Sequence, residues 1–329
     1  VSWQKEQDIR FDKWVDQCLV PKDKYLDWGS PLMNQALRGA EGGTSILIGG
    51  APNHGKSTLL TSTILTLLEK NSDVMVLDFT IDDSYSKRVA QYIANMSSIV
   101  INDIIFAHSS MGPVERKRFG EANEKFKNWI KQDKLVLFEA VTEGDDGEVS
   151  IQASSAFITS TMREAKKAYP NRKLVVAIDA LNDVDISSKQ RAFSELDQEK
   201  TIVKDIHRAI ISTEAVALIT SHLRKNESRR PTLEDLKGNS HLAYCGKVAI
   251  GVYNDSKAKH GRSDIMWTEE AKDGTKVQMP ILEAHFLKSK TSDFNGVICF
   301  QQWPALGRVV EPDDVYVQKT FKELVYRSV

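Results

Sequence analysis

Gly50-Ala51-Pro52-Asn53-His54-Gly55-Lys56-Ser57 has the spacing GxxxxGK[ST], and that spacing does a specific job on phosphates. Glycine lets the backbone approach an anion closely. The N–H groups of residues 52–57 can then wrap a phosphate chain, and a helix starting there adds positive potential from its N-terminus. Lys56 would reach the β- and γ-phosphates of ATP, and the Ser57 hydroxyl would bind Mg²⁺. Gly50, Asn53, His54, Gly55, Lys56, Ser57 and Thr58 are therefore the candidate nucleotide contacts. Average residue usage places this pattern by chance in a chain this long only about 1% of the time, so a glycine turn with no ligand is the weaker reading.

A phosphate loop needs a carboxylate at the end of another buried strand to complete the Mg²⁺ shell. Asp179 closes Leu174-Val175-Val176-Ala177-Ile178-Asp179 and fits that role, giving Ser57 and Asp179 as the metal pair. A strand-end Asp can also be a plain helix cap. Hydrolysis further needs a group that orients water. Asp82 and Asp83 follow the strand ending at Phe79, and either carboxylate could serve. The competing reading is a solvated turn in which Ser84 caps the next helix. His222, after the strand Ala215 to Thr220, stands where a polar side chain could sense a γ-phosphate, although a lone His is more often structural.

These residues need strands that end together, and the pattern supplies them. Ser45 to Ile48 is a buried-type strand running into the glycine loop, and Thr58 to Leu68 reads as a helix. Val74 to Phe79 is a second strand, followed by a helix carrying Tyr85, Val89, Tyr92 and Ile93. Pro113 can open another helix bearing Phe119, Phe126 and Ile130. Leu135 to Phe138, Leu174 to Ile178, Ala215 to Thr220 and Val248 to Tyr253 are further strands, with helical stretches near 151–168 and 190–212. Strands alternating with amphipathic helices imply an α/β chain with a mostly parallel central sheet. The character then changes. Ile265 to Trp267 and Val277 to Leu287 flank Asp273-Gly274, a hairpin signal, and Val297 to Phe300 follows, so antiparallel C-terminal strands are expected.

Composition narrows the setting. The 329 residues are 41% hydrophobic and 27% charged, ordinary for a globular chain able to bury its own core. The formal net charge of −1 announces no broad basic surface for nucleic acid, which leaves room for DNA held in a narrow channel by a few loop residues. Cys18, Cys245 and Cys299 form no cluster and suit a reducing compartment. No apolar run approaches a membrane span, and Val1 to Lys5 lacks a signal pattern, so a cytoplasmic protein (bacterial, or phage-encoded in a host) is expected. Near the start, Phe11, Trp14, Val15, Cys18 and Leu19 form an apolar stripe on one helical face. That helix either packs on its own domain or docks on a neighbouring subunit.

Taken together, these segments resemble the motor domain of DnaB-type hexameric helicases, in the branch containing phage primase-helicases and mitochondrial Twinkle. The similarity runs from about Trp28 to Val310. Trp28-Gly29-Ser30-Pro31-Leu32-Met33-Asn34 through Gly39 looks like the family's lead-in. In Phe79-Thr80-Ile81-Asp82-Asp83-Ser84 the family's catalytic Glu falls on Asp82, and Ile178-Asp179-Ala180-Leu181 matches the Walker B strand. Thr220-Ser221-His222-Leu223 resembles the phage and Twinkle sensor motif. Arg230-Pro231-Thr232-Leu233-Glu234-Asp235-Leu236-Lys237-Gly238-Asn239-Ser240 resembles the loop that grips single-stranded DNA, carried over as Lys237, Gly238, Asn239 and Ser240. Leu287-Lys288-Ser289-Lys290 sits where the family has Lys-x-Arg reaching a neighbour's ATP, which assigns in-trans roles to Lys288 and Lys290.

The resemblance implies a RecA-like P-loop NTPase that uses ATP and Mg²⁺, assembles as a homo-oligomer (a hexamer), translocates on single-stranded DNA and works with a primase or loader. It divides the chain into a linker helix at 1–24, a motor domain at 25–312 and a C-terminal extension at 313–329. Three departures bear on rate and grip. Asp82 is one methylene shorter than Glu, Lys290 lacks the guanidinium fork, and Ser240 replaces a usual Gly. Two other classes stay open: a RecA- or KaiC-like ATPase driving assembly, and a weakly hydrolysing nucleotide-dependent scaffold, which the Asp82 and Lys290 departures keep alive.

Overall fold

Ile46 and Ile48 face one layer of the core while Leu47, between them, faces the other, and this period-two alternation sorts the main interior into two sides of one sheet. The computed structural model describes residues 3–18, 25–106, 110–143, 149–185, 194–223, 229–235, 246–270, 274–312 and 315–327. In chain order the strands are β1 (Thr44–Gly50), β2 (Val74–Thr80), β3 (Leu135–Glu139), β4 (Val141–Glu143), β5 (Val149–Ile151), β6 (Lys173–Asp179), β7 (Val216–His222), β8 (Val248–Tyr253), β9 (Met266–Glu270), β10 (Lys276–Ser289), β11 (Gly296–Trp303) and β12 (Arg308–Val310). The helices are α1 (Trp3–Cys18), α2 (Pro31–Ala36), α3 (Lys56–Lys70), α4 (Tyr85–Ser97), α5 (Ile101–Phe106), α6 (Pro113–Lys131), α7 (Ser155–Ala168), α8 (Glu195–Thr213), α9 (Asp255–Ala258) and α10 (Val315–Arg327).

One sheet runs β12-β11-β10-β8-β1-β7-β6-β2-β3, with β9 paired to β10. The six strands from β8 to β3 are parallel, whereas β10, β11 and β12 join antiparallel. β1 lies inside the parallel part, between β7 and β8, and every one of its residues is buried. That explains its unbroken apolar run, since a parallel strand covered on both faces has no solvent side to mark with polar residues. Leu59, Leu60, Ile64, Leu67 and Leu68 of α3 cover one face together with α4 and α6. Ile158 and Met162 of α7, with Ile202, Ile206 and Ile210 of α8, cover the other.

Several expectations shift at their edges. The stretch expected as helix from residue 151 begins as the β4–β5 hairpin, and α7 starts only at Ser155, where the Ser154 hydroxyl accepts from Phe157 N at 3.2 Å. α8 is opened in the same way by Ser194. The segment expected as a C-terminal extension is α10. It packs Phe321 and Val325 against Trp267, Ile281, Val297 and Cys299, so it completes a third small core on the antiparallel strands. On α1, Trp3, Ile9 and Phe11 are exposed and Val15 is half-buried. The side chains of Trp14 and Cys18, and Leu19 altogether, lie outside the described residues. Among the described residues no helix is long and apolar enough to cross a membrane.

Candidate nucleotide site

The parallel strands β1, β7, β6 and β2 end on the same side, and the candidate residues sit at those ends, where α/β sheets bind ligands. Gly50 is level with His222 on β7 and Val252 on β8. A Cβ on Gly50 would lie 2.9 Å from the Val252 carbonyl oxygen and 3.3 Å from Lys56 Cγ, so the loop can leave the sheet here only as glycine. Gly55 has φ +97 at the N-cap of α3, and a Cβ there would meet Leu282 Cδ1 at 2.8 Å. Asn53, with φ 61, supplies a second left-handed position.

Lys56 is buried at the start of α3. Its Nζ donates to the carbonyl oxygens of Gly50 at 3.1 Å and Ala51 at 3.0 Å, and lies 3.4 Å from His222 Nδ1. Burial pulls the Lys56 pKa below the usual lysine range, with Asp179 and Asp82 acting the other way. Ser57 and Thr58 are half-buried on the first turn of α3. The imidazole of His54 is engaged by β8 and the residue after it. Its Nδ1 accepts from Asn254 N at 3.4 Å and its ring centroid lies 5.6 Å from that of Tyr253.

Asp179, at the end of β6, is buried, and both of its carboxylate oxygens are held. Oδ1 accepts from Thr220 Oγ1 at 2.5 Å and Oδ2 from an Arg88 terminal nitrogen at 3.2 Å. Arg88 escaped the sequence reading, which took only the apolar residues of α4. The available signal was Asp78, a charged residue inside the apolar strand β2, because a carboxylate buried there demands a cation. Arg88 is that cation.

The turn after β2 is tied to Asp179 through its backbone: Ile81 N and Asp82 N donate to the Asp179 carbonyl oxygen at 2.7 and 3.1 Å. The two neighbouring carboxylates then separate in role. Asp83 is bound by Lys87 and by Gln91 Nε2, the latter at 3.2 Å, while Ser84 caps α4. Asp82 is exposed beside Lys56 and Asp183. Asp183, also missed in the sequence, has its pKa pushed up by burial and by Asp82 and Asp179, with His222 opposing. Asn182 links this turn to β7, its Oδ1 accepting from Ser221 Oγ at 3.1 Å and His222 N at 2.9 Å. Lys56, Asp82, Asp179, Asp183 and His222 thus form one polar cluster at the strand ends.

Lys288 and Lys290 do not join it. Ser289 pairs with Val248, and Val248 with Ile46, four residues before Gly50. At about 3.3 Å per residue this puts the two lysines roughly 13 Å along the sheet from the glycine loop. Lys288 Nζ donates to the Gly246 carbonyl oxygen at 2.6 Å, and Lys290 is exposed just past the end of β10, its backbone N donating to the Lys247 carbonyl oxygen at 2.9 Å. Lys237, Gly238, Asn239 and Ser240 lie outside the described residues. The chain leading to them is anchored. Arg230 makes a forked pair with buried Glu283 at 2.7 and 2.9 Å, and Pro231 packs so close to Gly251 that a Cβ there would be 2.5 Å from Pro231 Cγ. Arg229 and Pro231 share a cleft with Ala51 and His54 of the glycine loop.

Among the described residues no group of three or more His, Cys, Asp or Glu side chains could cage a metal. A hydroxyl and one strand-end carboxylate instead suit Mg²⁺, which draws much of its octahedral shell from phosphates and water.

No protein-family model matches the chain, and no curated protein matches its sequence. Solved structures do match in three dimensions. A helicase ATPase domain, solved as a domain by itself, superimposes with a TM-score of 0.74 at 16% identity, covering 95% of this chain and 99% of its own. The chain has the fold of that ATPase domain, a mostly parallel sheet extended by antiparallel C-terminal strands. A DnaB-like replicative helicase, described together with its interactions with primase, superimposes with a TM-score of 0.69 at 19% identity over 87% of this chain. This chain spans 61% of that helicase, so the likeness covers part of that molecule rather than the whole.

Proposed function

We propose that this chain is an ATP-hydrolysing helicase motor that translocates on single-stranded DNA as a ring, a hexamer in the simplest case. The observation that carries the proposal is the meeting of Lys56, Asp179, Asp82 and His222 at one set of strand ends in a helicase-type ATPase fold. ATP phosphates would lie on the backbone of Gly50 to Thr58, with Lys56 exchanging its carbonyl partners for the β/γ-phosphates. Mg²⁺, held by Ser57 and Asp179, would neutralise charge building on the phosphates. Asp82 would orient the attacking water, and His222, already against Lys56, would report whether the γ-phosphate is present. His54 would contribute through its backbone, since its ring is engaged elsewhere.

Lys288 and Lys290 are too far from their own Lys56 to serve it, which favours roles at the next subunit's ATP. The exposed Trp3, Ile9 and Phe11 of α1 favour a helix that helps hold such a ring. Lys237 through Ser240 would contact DNA, and the anchoring of their stem beside the glycine loop supports a link between nucleotide state and DNA grip. The relative described with primase makes a primase or loader a reasonable partner class.

Lys237→Ala should weaken single-stranded DNA binding and flatten its salt dependence by about one charge per engaged subunit, read in titrations at several salt concentrations. Unchanged affinity and slope would favour the second reading, an ATPase whose cycle drives assembly without unwinding.

A further inference from the structure

Arg88 is fully buried on α4, and none of the chemistry proposed above uses it. Its guanidinium touches three other elements. Nε and one terminal nitrogen donate to the two carboxylate oxygens of Asp78 on β2 at 2.9 and 3.0 Å, a forked pair. The other terminal nitrogen donates to Asp179 Oδ2 and to Thr61 Oγ1, each at 3.2 Å. Tyr92, one turn along α4, donates its hydroxyl to Asp78 Oδ2 at 2.7 Å.

Neutralising Asp78 would need only the fork. A planar guanidinium fixed on one carboxylate also fixes where its remaining edge points, and here that edge spans Asp179 and the helix that begins at Lys56. A lysine could cancel the charge of Asp78 without setting that direction. With Thr220 on the opposite oxygen, Asp179 is held from both sides. A carboxylate has roughly four acceptor sites, so the pair of bonds leaves room for metal-bound water.

We infer that Arg88 is a positioning residue for the metal site: braced by Asp78 and Tyr92, it aims the Asp179 carboxylate at the Mg²⁺ that Ser57 would share. The inference rests on the reading of Asp179 as a metal carboxylate. It separates two affinities. The phosphate cradle is built from the Gly50–Ser57 backbone and Lys56, which Arg88 does not touch, so its loss should spare metal-free nucleotide binding and weaken the response to Mg²⁺.

Arg88→Met alone would leave Asp78 buried and unpaired and is expected to damage folding. The variant D78V/R88M/Y92F removes the charges and their brace together. Three quantities are compared with the parent chain: thermal melting, affinity for a fluorescent ATP analogue in EDTA, and the Mg²⁺ concentration giving half-maximal ATP hydrolysis. Expected are near-parent melting, metal-free affinity within about threefold, and an Mg²⁺ midpoint raised about tenfold or more, the usual scale for losing an outer-shell partner. A folded triple variant with the parent's Mg²⁺ midpoint overturns the inference and leaves Arg88 as a mere counter-charge. Should that variant not fold, Arg88→Lys keeps a cation beside Asp78 without the fork. The same rise in midpoint is then expected, and a parent-like midpoint overturns the inference. A parent chain that binds no nucleotide overturns the reading of the site itself, a failure visible before any variant is made.

Discussion

Lys56 Nζ lies 3.4 Å from His222 Nδ1, so the loop that would cradle ATP and the strand end that would sense its γ-phosphate are in contact within one chain. Burial also penalises the charged form of Lys56. Its lowered pKa means that the charged form is disfavoured in the folded chain. That cost is fully present below the folded pKa and is relieved only as pH rises through it. Lys56→Met should therefore abolish ATP binding and hydrolysis while leaving the melting temperature of the nucleotide-free protein unchanged or higher. Calorimetric titration with ATP and a melting curve at neutral pH check both halves, and ATPase activity retained by the folded variant would remove the phosphate-loop assignment.

Asp82 and Asp83 are adjacent, but only Asp83 is occupied by Lys87 and Gln91. Asp82→Asn should lower kcat for ATP by about a hundredfold with little change in nucleotide affinity, the scale of losing a positioned general base. Asp83→Asn should change kcat by less than about threefold, because Asp83 is engaged by Lys87 and Gln91 rather than free to orient water. Steady-state kinetics on both variants decide which carboxylate orients water. Asp82→Glu should match or exceed the parent if the shorter side chain limits the rate.

Lys290 offers a test of subunit-to-subunit chemistry. Its distance along β10 from Lys56 means that any effect on hydrolysis must come through another copy. Lys290→Ala should bind ATP normally and hydrolyse it poorly, and mixing it with Lys56→Ala protein should restore some activity at mixed interfaces. Lys290→Arg should be at least as active as the parent, because the planar fork of an arginine finger can contribute about a thousandfold or more. Equal rates for the parent and Lys290→Ala, under conditions where the chain assembles, would reduce Lys290 to a charge at a strand end.

The parallel half of the fold was legible because its buried strands are short apolar runs, with amphipathic helices such as α3 after β1 and the Ser84-capped α4 after β2, and β1 announces its position by running into the glycine loop. The strand ends named Lys56, Asp179, Asp82 and His222 for the same reason. What stayed hidden was carried by residues whose meaning is set by partners far away in sequence. Arg88 looks like a solvent-facing helix residue until Asp78, ten positions before it, is seen inside the sheet. Asp183 has its pKa raised first by burial and then by Asp82, which arrives from the end of β2, so its sequence neighbours alone do not announce it. α10 reads as an appendage because its apolar residues Phe321 and Val325 complement a surface made by β9, β10 and β11, which no local period reveals.

The most direct test of the motor reading is the steady-state rate of ATP hydrolysis by the full chain with Mg²⁺, measured with and without single-stranded DNA while light scattering follows assembly. The expected result is hydrolysis that requires Mg²⁺, rises at least several-fold with single-stranded DNA, and accompanies a ring-sized species. Hydrolysis indifferent to DNA in an assembled sample would contradict a translocating motor and leave an assembly ATPase; no hydrolysis under any of these conditions would contradict the enzyme reading itself.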